Sequence, residues 1–103
     1  MIVPDVNMIV YAYDADSPHH TRAKAWWEGT LSSPVPVGIA WIVALGFIRI
    51  ATHPRILASP LPVAKACSHV ESWLAQPQVS LLHPGERHAS ILFDLLRRLG
   101  TAG

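Results

Sequence analysis

Three short apolar runs, Met1–Val3, Val37–Ala40 and Val79–Leu82, punctuate the chain, and the stretches between and after them carry helical spacing. This alternation predicts the order β-α-α-β-α-α-β-α and an α/β sandwich around a small, mostly parallel sheet. The first helix is expected over Asn7–Tyr13, ended by Asp14-Ala-Asp-Ser-Pro18. A second starts at Ser17-Pro18, an N-cap followed by a first-turn proline, and places Ala23, Trp26, Trp27, Thr30 and Leu31 on one side. Trp41–Ala51 is apolar on every side except Arg49 and reads as a helix at the centre of the core. Val63, Ala66, Cys67, Val70 and Leu74 mark a further helix. A last one is expected from about Glu86 to Leu99, with Ile91, Leu92, Leu95 and Leu99 inward and Ser90, Asp94 and Arg97 outward.

With 103 residues, the length allows one domain, and folding buries roughly 65% of the surface the unfolded chain exposes. Half the residues (50%) are hydrophobic and 15% charged, which excludes a disordered chain. A net charge of +1 supplies no strong field for nucleic acid or an anionic membrane. The single cysteine, Cys67, rules out an intrachain disulfide, fits a reducing compartment, and lies on an apolar helical stripe as a core residue would. The longest unbroken apolar piece, Val37 to Ile48, is twelve residues and too short to cross a bilayer. No basic leader precedes the first apolar run, so no signal peptide is expected. Together these point to a soluble, cytoplasmic protein.

Chemistry-bearing motifs are few. There is no Gly-x-Ser-x-Gly, P-loop or Gly-x-Gly-x-x-Gly, and the scattered histidines make no zinc pattern. Trp26 and Trp73 fall on helical stripes, which favours core packing over base stacking. Asp5 is the exception. It follows an apolar strand and precedes a helix, with Asn7 two residues on. In an α/β sheet the carboxyl ends of strands line the ligand crevice, where a carboxylate can hold Mg²⁺ or Mn²⁺. The same position also suits a helix N-cap, and position alone favours the cap over the metal role. Asp14 and Asp16 lie about 13 Å or more along the helix from Asp5, too far to share a Mg²⁺ ion with it. Glu86 and Asp94 are expected to cap and solvate the last helix.

Met1-Ile-Val-Pro-Asp-Val-Asn7 followed by Met8-Ile-Val-Tyr-Ala-Tyr13 resembles the opening of a PIN domain, specifically a VapC toxin. Ser17-Pro-His-His-Thr-Arg-Ala-Lys-Ala-Trp-Trp27, Trp41-Ile-Val, Phe47-Ile-Arg-Ile-Ala-Thr-His-Pro-Arg55 and Trp73-Leu-Ala-Gln-Pro77 are similar to its mycobacterial-type branch. The likeness covers essentially the whole chain.

The resemblance implies a PIN-like three-layer α/β/α domain over residues 1–103, without the last strands and helices of the family, and thus C-terminally shortened. It implies a Mg²⁺-dependent (or Mn²⁺-dependent) endoribonuclease of a type II toxin–antitoxin pair, with RNA as substrate, a VapB-type antitoxin as partner and a homodimeric assembly. Asp5 matches the family's strand-end aspartate, in the catalytic and metal-binding role, and Asn7 the small polar residue that supports it. Gly46 stands where many relatives carry a glutamate before Phe47-Ile-Arg49, and the remaining family aspartates would lie beyond Gly103. One carboxylate does not assemble a two-metal site, so cleavage is expected to be lost or weakened. The alternative is a non-catalytic PIN-like remnant that binds an antitoxin or a dimer partner. A third reading, an unrelated small α/β binding module, requires the likeness to be accidental.

Overall fold

A computed structural model describes residues 1–83, 93–94 and 97–98. Within them the order is α1 (Val6–Tyr13), α2 (His20–Ser32), β1 (Val37–Ala40), α3 (Trp41–Ala51), α4 (Val63–Leu74) and β2 (Val79–Leu82). β1 and β2 pair in parallel, from Val37 with Val79 to Ala40 with Leu82. The expected first strand is reduced to a single parallel bridge, Ile2 to Val37, on the other edge of β1. Ile2 N donates to Pro36 O at 2.9 Å and Gly38 N to Ile2 O at 2.8 Å. Pro4, which has no N–H to extend a ladder, follows at once, and Met1 and Val3 lie exposed. The result is the α/β class expected, four helices around a small parallel sheet, compatible with a PIN-like arrangement.

Side chains that compete with the backbone mark the end of α1, the start of α2 and the end of α3. After α1, the Asp14 carboxylate accepts the amide of Asp16 at 3.1 Å, a turn that ends the helix. Ser17 uses its hydroxyl in the same way on the amide of His19, so α2 begins at His20 and not at Pro18. α3 follows β1 without a loop. At its end Thr52 Oγ1 donates to Ile48 O at 2.7 Å.

The core forms where the stripes meet. α1 packs on α2 and α3, and α3 on α4. Ala23, Trp27 and Thr30 of α2, Ala44, Phe47 and Ala51 of α3, and Ala66, Val70 and Trp73 of α4 are the buried positions, each set at helical spacing. Trp27, Phe47 and Trp73 converge. Trp73 meets Phe47 edge-on at 4.8 Å between ring centroids and Trp27 at 5.3 Å. Trp73 Nε1 donates to the Tyr13 hydroxyl at 2.7 Å, whereas the buried Trp27 Nε1, near the same oxygen, makes no hydrogen bond of good geometry. Burial holds the Tyr13 hydroxyl above its ordinary pKa, so it stays protonated and neutral in this apolar setting.

Three expectations about burial are corrected. Trp26 faces outward, 37% exposed, because it lies about 100° around the helix from buried Trp27. α3 is not central. Trp41, Ile42 and Leu45 stay exposed on one side while Ala44 and Phe47 are buried on the other. Cys67 is half-buried. The expected last helix falls mainly outside the described residues; Phe93, Asp94, Arg97 and Arg98 are helical, and Asp94 pairs with Arg98 at 3.0 Å on the surface.

Candidate functional site: the carboxyl edge of the sheet

The register of the sheet brings three chain segments to one edge. Ile2 is level with Val37 and Val37 with Val79. β1 and β2 end together at Ala40 and Leu82; the chain past the Ile2 bridge reaches Asp5 and enters α1 at Val6, and β1 runs directly into α3. In open α/β sheets this carboxyl edge is where ligands are held.

Asp5 is extended (φ −79°, ψ 145°) and precedes α1. Its carbonyl accepts the amide of Ile9 at 3.4 Å, but its carboxylate makes no capping hydrogen bond. Of the two roles open in the sequence, side-chain capping is therefore not the one adopted. Asp5 is exposed, with its carboxylate uncommitted to the helix, and Asn7, the second residue of α1, is exposed as well.

Gly46 sits against the same corner. A Cβ built on it would lie 3.4 Å from Val6 Cγ2, the residue next to Asp5. This is ordinary van der Waals distance, so the position tolerates a side chain. Replacing a mid-helix glycine removes an entropic cost of about 0.5–1 kcal/mol. Gly46→Ala is accordingly expected to raise the thermal midpoint by a few degrees. An unchanged or lowered midpoint would show that the Val6 contact cannot relax.

The other sequence candidates stay apart from Asp5. The Asp14 carboxylate is engaged in its own turn at the far end of α1, and Asp94 is tied to Arg98. Glu86 lies outside the described residues. Among the described residues no group of three His, Cys, Asp or Glu side chains could hold a metal ion. Among the described residues, the lone exposed Asp5 carboxylate could supply one oxygen ligand to a hydrated divalent ion; it does not fit the paired ions of two-metal hydrolysis.

Two surfaces escaped the sequence reading. A groove of about 480 Å³ between α1 and α2 is lined by Met8, Tyr11, His19, Arg22, Ala23 and Trp26. A smaller cleft of about 240 Å³ lies along α3, lined by Gly46, Arg49, Ile50, His53 and Ile56. The adjacent tryptophans 26 and 27 carried a signal for the first, since neighbours on a helix cannot both face inward. For the second, the i, i+3, i+7 spacing of Gly46, Arg49 and His53 was the available signal.

No protein-family model matches the chain. Curated relatives do. Ribonuclease VapC33 of Mycobacterium tuberculosis is 47% identical over 102 residues, which is 99% of this chain and 71% of that protein. Ribonuclease VapC37 of the same organism is 40% identical over 98% of this chain and 70% of its own length. Ribonuclease VapC31 is 32% identical over the full chain and 72% of its own length. A small parallel α/β sheet with an acidic residue at its carboxyl edge suits a hydrolase of the PIN class. The chain belongs to the VapC ribonuclease family.

Proposed function

We propose that this chain is the RNA-directed component of a toxin–antitoxin pair and that RNA lies across the carboxyl edge of its sheet at Asp5. The observation that carries this reading is the exposed Asp5 carboxylate, without a capping hydrogen bond, between the Ile2 bridge and α1, in a chain 47% identical to a named ribonuclease. Asp5 is the catalytic and metal-ligating residue, and Asn7 supports it. The cofactor is Mg²⁺, with Mn²⁺ as the substitute, taken up together with RNA phosphate because one carboxylate alone holds such an ion weakly. When bound, the ion supplies positive charge against the phosphate. With Gly46 at the position where the family resemblance places a glutamate in many relatives, we propose that these 103 residues cleave RNA weakly or not at all.

A VapB-type antitoxin and a second copy of this chain are the partners of the same reading. Exposed Ile42 and Leu45 on α3 are the apolar side chains a second copy would cover. Among the described residues no helix is long and apolar enough to cross a membrane. Free Cys67 suits the reducing cytoplasm, where we place the protein.

Filter binding of a labelled single-stranded RNA to the chain, with millimolar Mg²⁺ or with chelator, tests the reading. Binding should be stronger with the ion, and Asp5→Ala should erase that difference while leaving the thermal midpoint in place. An Mg²⁺ effect that survives in Asp5→Ala would remove Asp5 from the site.

A further inference from the structure

Trp41 and His83 form a second feature at the same edge. Each is the first residue past its strand, β1 and β2, which pair in register up to Ala40 and Leu82. Their rings stack with centroids 6.5 Å apart and planes 23° from parallel. Both are exposed. Trp41 keeps 47% of its surface accessible, whereas Trp27 and Trp73 keep 1% and 0%. Tryptophan is costly to leave in water, and Trp41 is the most exposed of the four, Trp26 keeping 37%. Here the indole starts a helix, faces outward, and has a second flat ring beside it.

We propose that the Trp41–His83 pair is a stacking platform for an unpaired RNA base, and that it positions the nucleotide whose phosphate lies at Asp5. The inference rests on the RNA-directed reading above. Ile2 is bridged to one edge of β1 and β2 pairs on the other, so the segment that leads into Asp5 starts beside the strand that runs into Trp41. A nucleotide with its phosphate at Asp5 thus has its base carried toward Trp41, and single-stranded RNA is held in this way by aromatic faces. Stacking accepts any base, because every base has a π face; the platform therefore confers preference for unpaired RNA over duplex, not for a particular sequence. The net charge of +1 is consistent with this, since a chain with little electrostatic pull on a phosphate backbone must hold RNA by other contacts.

The test uses the 103-residue chain in chelator, so that cleavage plays no part, and single-stranded oligoribonucleotides carrying 5-iodouracil at successive positions. After irradiation, cross-links are mapped by mass spectrometry. Affinity is measured for the unaltered chain, Trp41→Ala, Trp41→Phe and His83→Ala, with thermal melts to confirm folding. Cross-links are expected at Trp41 or His83. Trp41→Ala should weaken binding about tenfold, Trp41→Phe should retain most of it, and His83→Ala should cost less than Trp41→Ala. A duplex of the same sequence should bind equally to Trp41→Ala and the unaltered chain. Unchanged single-strand affinity in Trp41→Ala with cross-links elsewhere would overturn the platform and leave the RNA reading standing. Absence of RNA binding by the unaltered chain would remove both. Altered sedimentation of Trp41→Ala with unchanged RNA affinity would make the surface a protein contact and also overturn the proposal. If Trp41→Ala does not fold, the cross-link positions and Trp41→Phe decide.

Discussion

A structured RNA incubated with the 103-residue chain at millimolar Mg²⁺ is expected to stay intact, whereas a chimera adding the part of VapC33 outside the matched 71% is expected to cleave it. Two-metal hydrolysis of a phosphodiester uses several carboxylates to bring two ions together and to orient water. Asp5 supplies one. Gly46→Glu would set a second carboxylate against the same corner, where the 3.4 Å clearance to Val6 admits it. Two carboxylates are still fewer than the family's acidic cluster, so this single change is expected to leave the chain inactive. In the chimera, chelator should stop cleavage, and adding Asp5→Ala should abolish it. Chelator-sensitive cleavage by the unmodified chain, lost in Asp5→Ala, would show that the lone carboxylate suffices and would defeat the proposal of a weakened site.

The largest effect on stability is expected at Trp73. Its ring is fully buried among Phe47, Trp27 and Tyr13, and its indole N–H is satisfied by the Tyr13 hydroxyl. Trp→Ala in a packed core costs about 3–5 kcal/mol, and domains of this size are stable by only about 5–15 kcal/mol. Trp73→Ala should therefore lower the thermal midpoint by more than about 10 °C or abolish the cooperative transition. Trp73→Phe keeps a ring against Phe47 and should cost less. Tyr13→Phe removes only the acceptor, leaving the Trp73 N–H buried without a partner, at about 1–3 kcal/mol. Calorimetry of the three variants checks the order. Asp5→Ala, at an exposed side chain without hydrogen bonds to the helix, should lie within about 0.5 kcal/mol of the unaltered chain. A Trp73→Ala midpoint within a few degrees of the unaltered chain would mean that the aromatic cluster does not hold the helices together.

Elements with a single apolar stripe are legible from the sequence because one face alone can be inward. α4 shows this with Ala66, Val70 and Trp73. α3 does not, because nearly all its residues are apolar and periodicity carries no information. Only packing against α1 and α4 decides that Ala44, Phe47 and Ala51 turn in while Trp41, Ile42 and Leu45 turn out. The start of α2 was misplaced because Ser17 spends its hydroxyl on a tight turn before the helix begins. Asp5 is legible by its place after an apolar run, and its freedom from capping is a matter of rotamer that no residue pattern encodes. The Trp41–His83 pair depends on the register between strands 42 residues apart in sequence, and local spacing cannot report a pairing at that range.

The single bridge at Ile2 ties the reacting edge to a local opening equilibrium. The segment before Asp5 is joined to the sheet through two backbone hydrogen bonds, both at Ile2 (Ile2 N to Pro36 O and Gly38 N to Ile2 O), whereas β2 is held along four residue pairs. Segments with few bonds and exposed side chains open at a small fraction of the global unfolding free energy. The amide of Gly38, which depends on Ile2, should therefore exchange with solvent far sooner than that of Val37, which donates to Gln78 on the β2 side. Each such opening loosens the chain on one side of Asp5 only, because buried Pro4 and α1, packed on α2 and α3, hold the other side. A contact that pins Met1–Val3 would therefore narrow the motion of Asp5 without touching it.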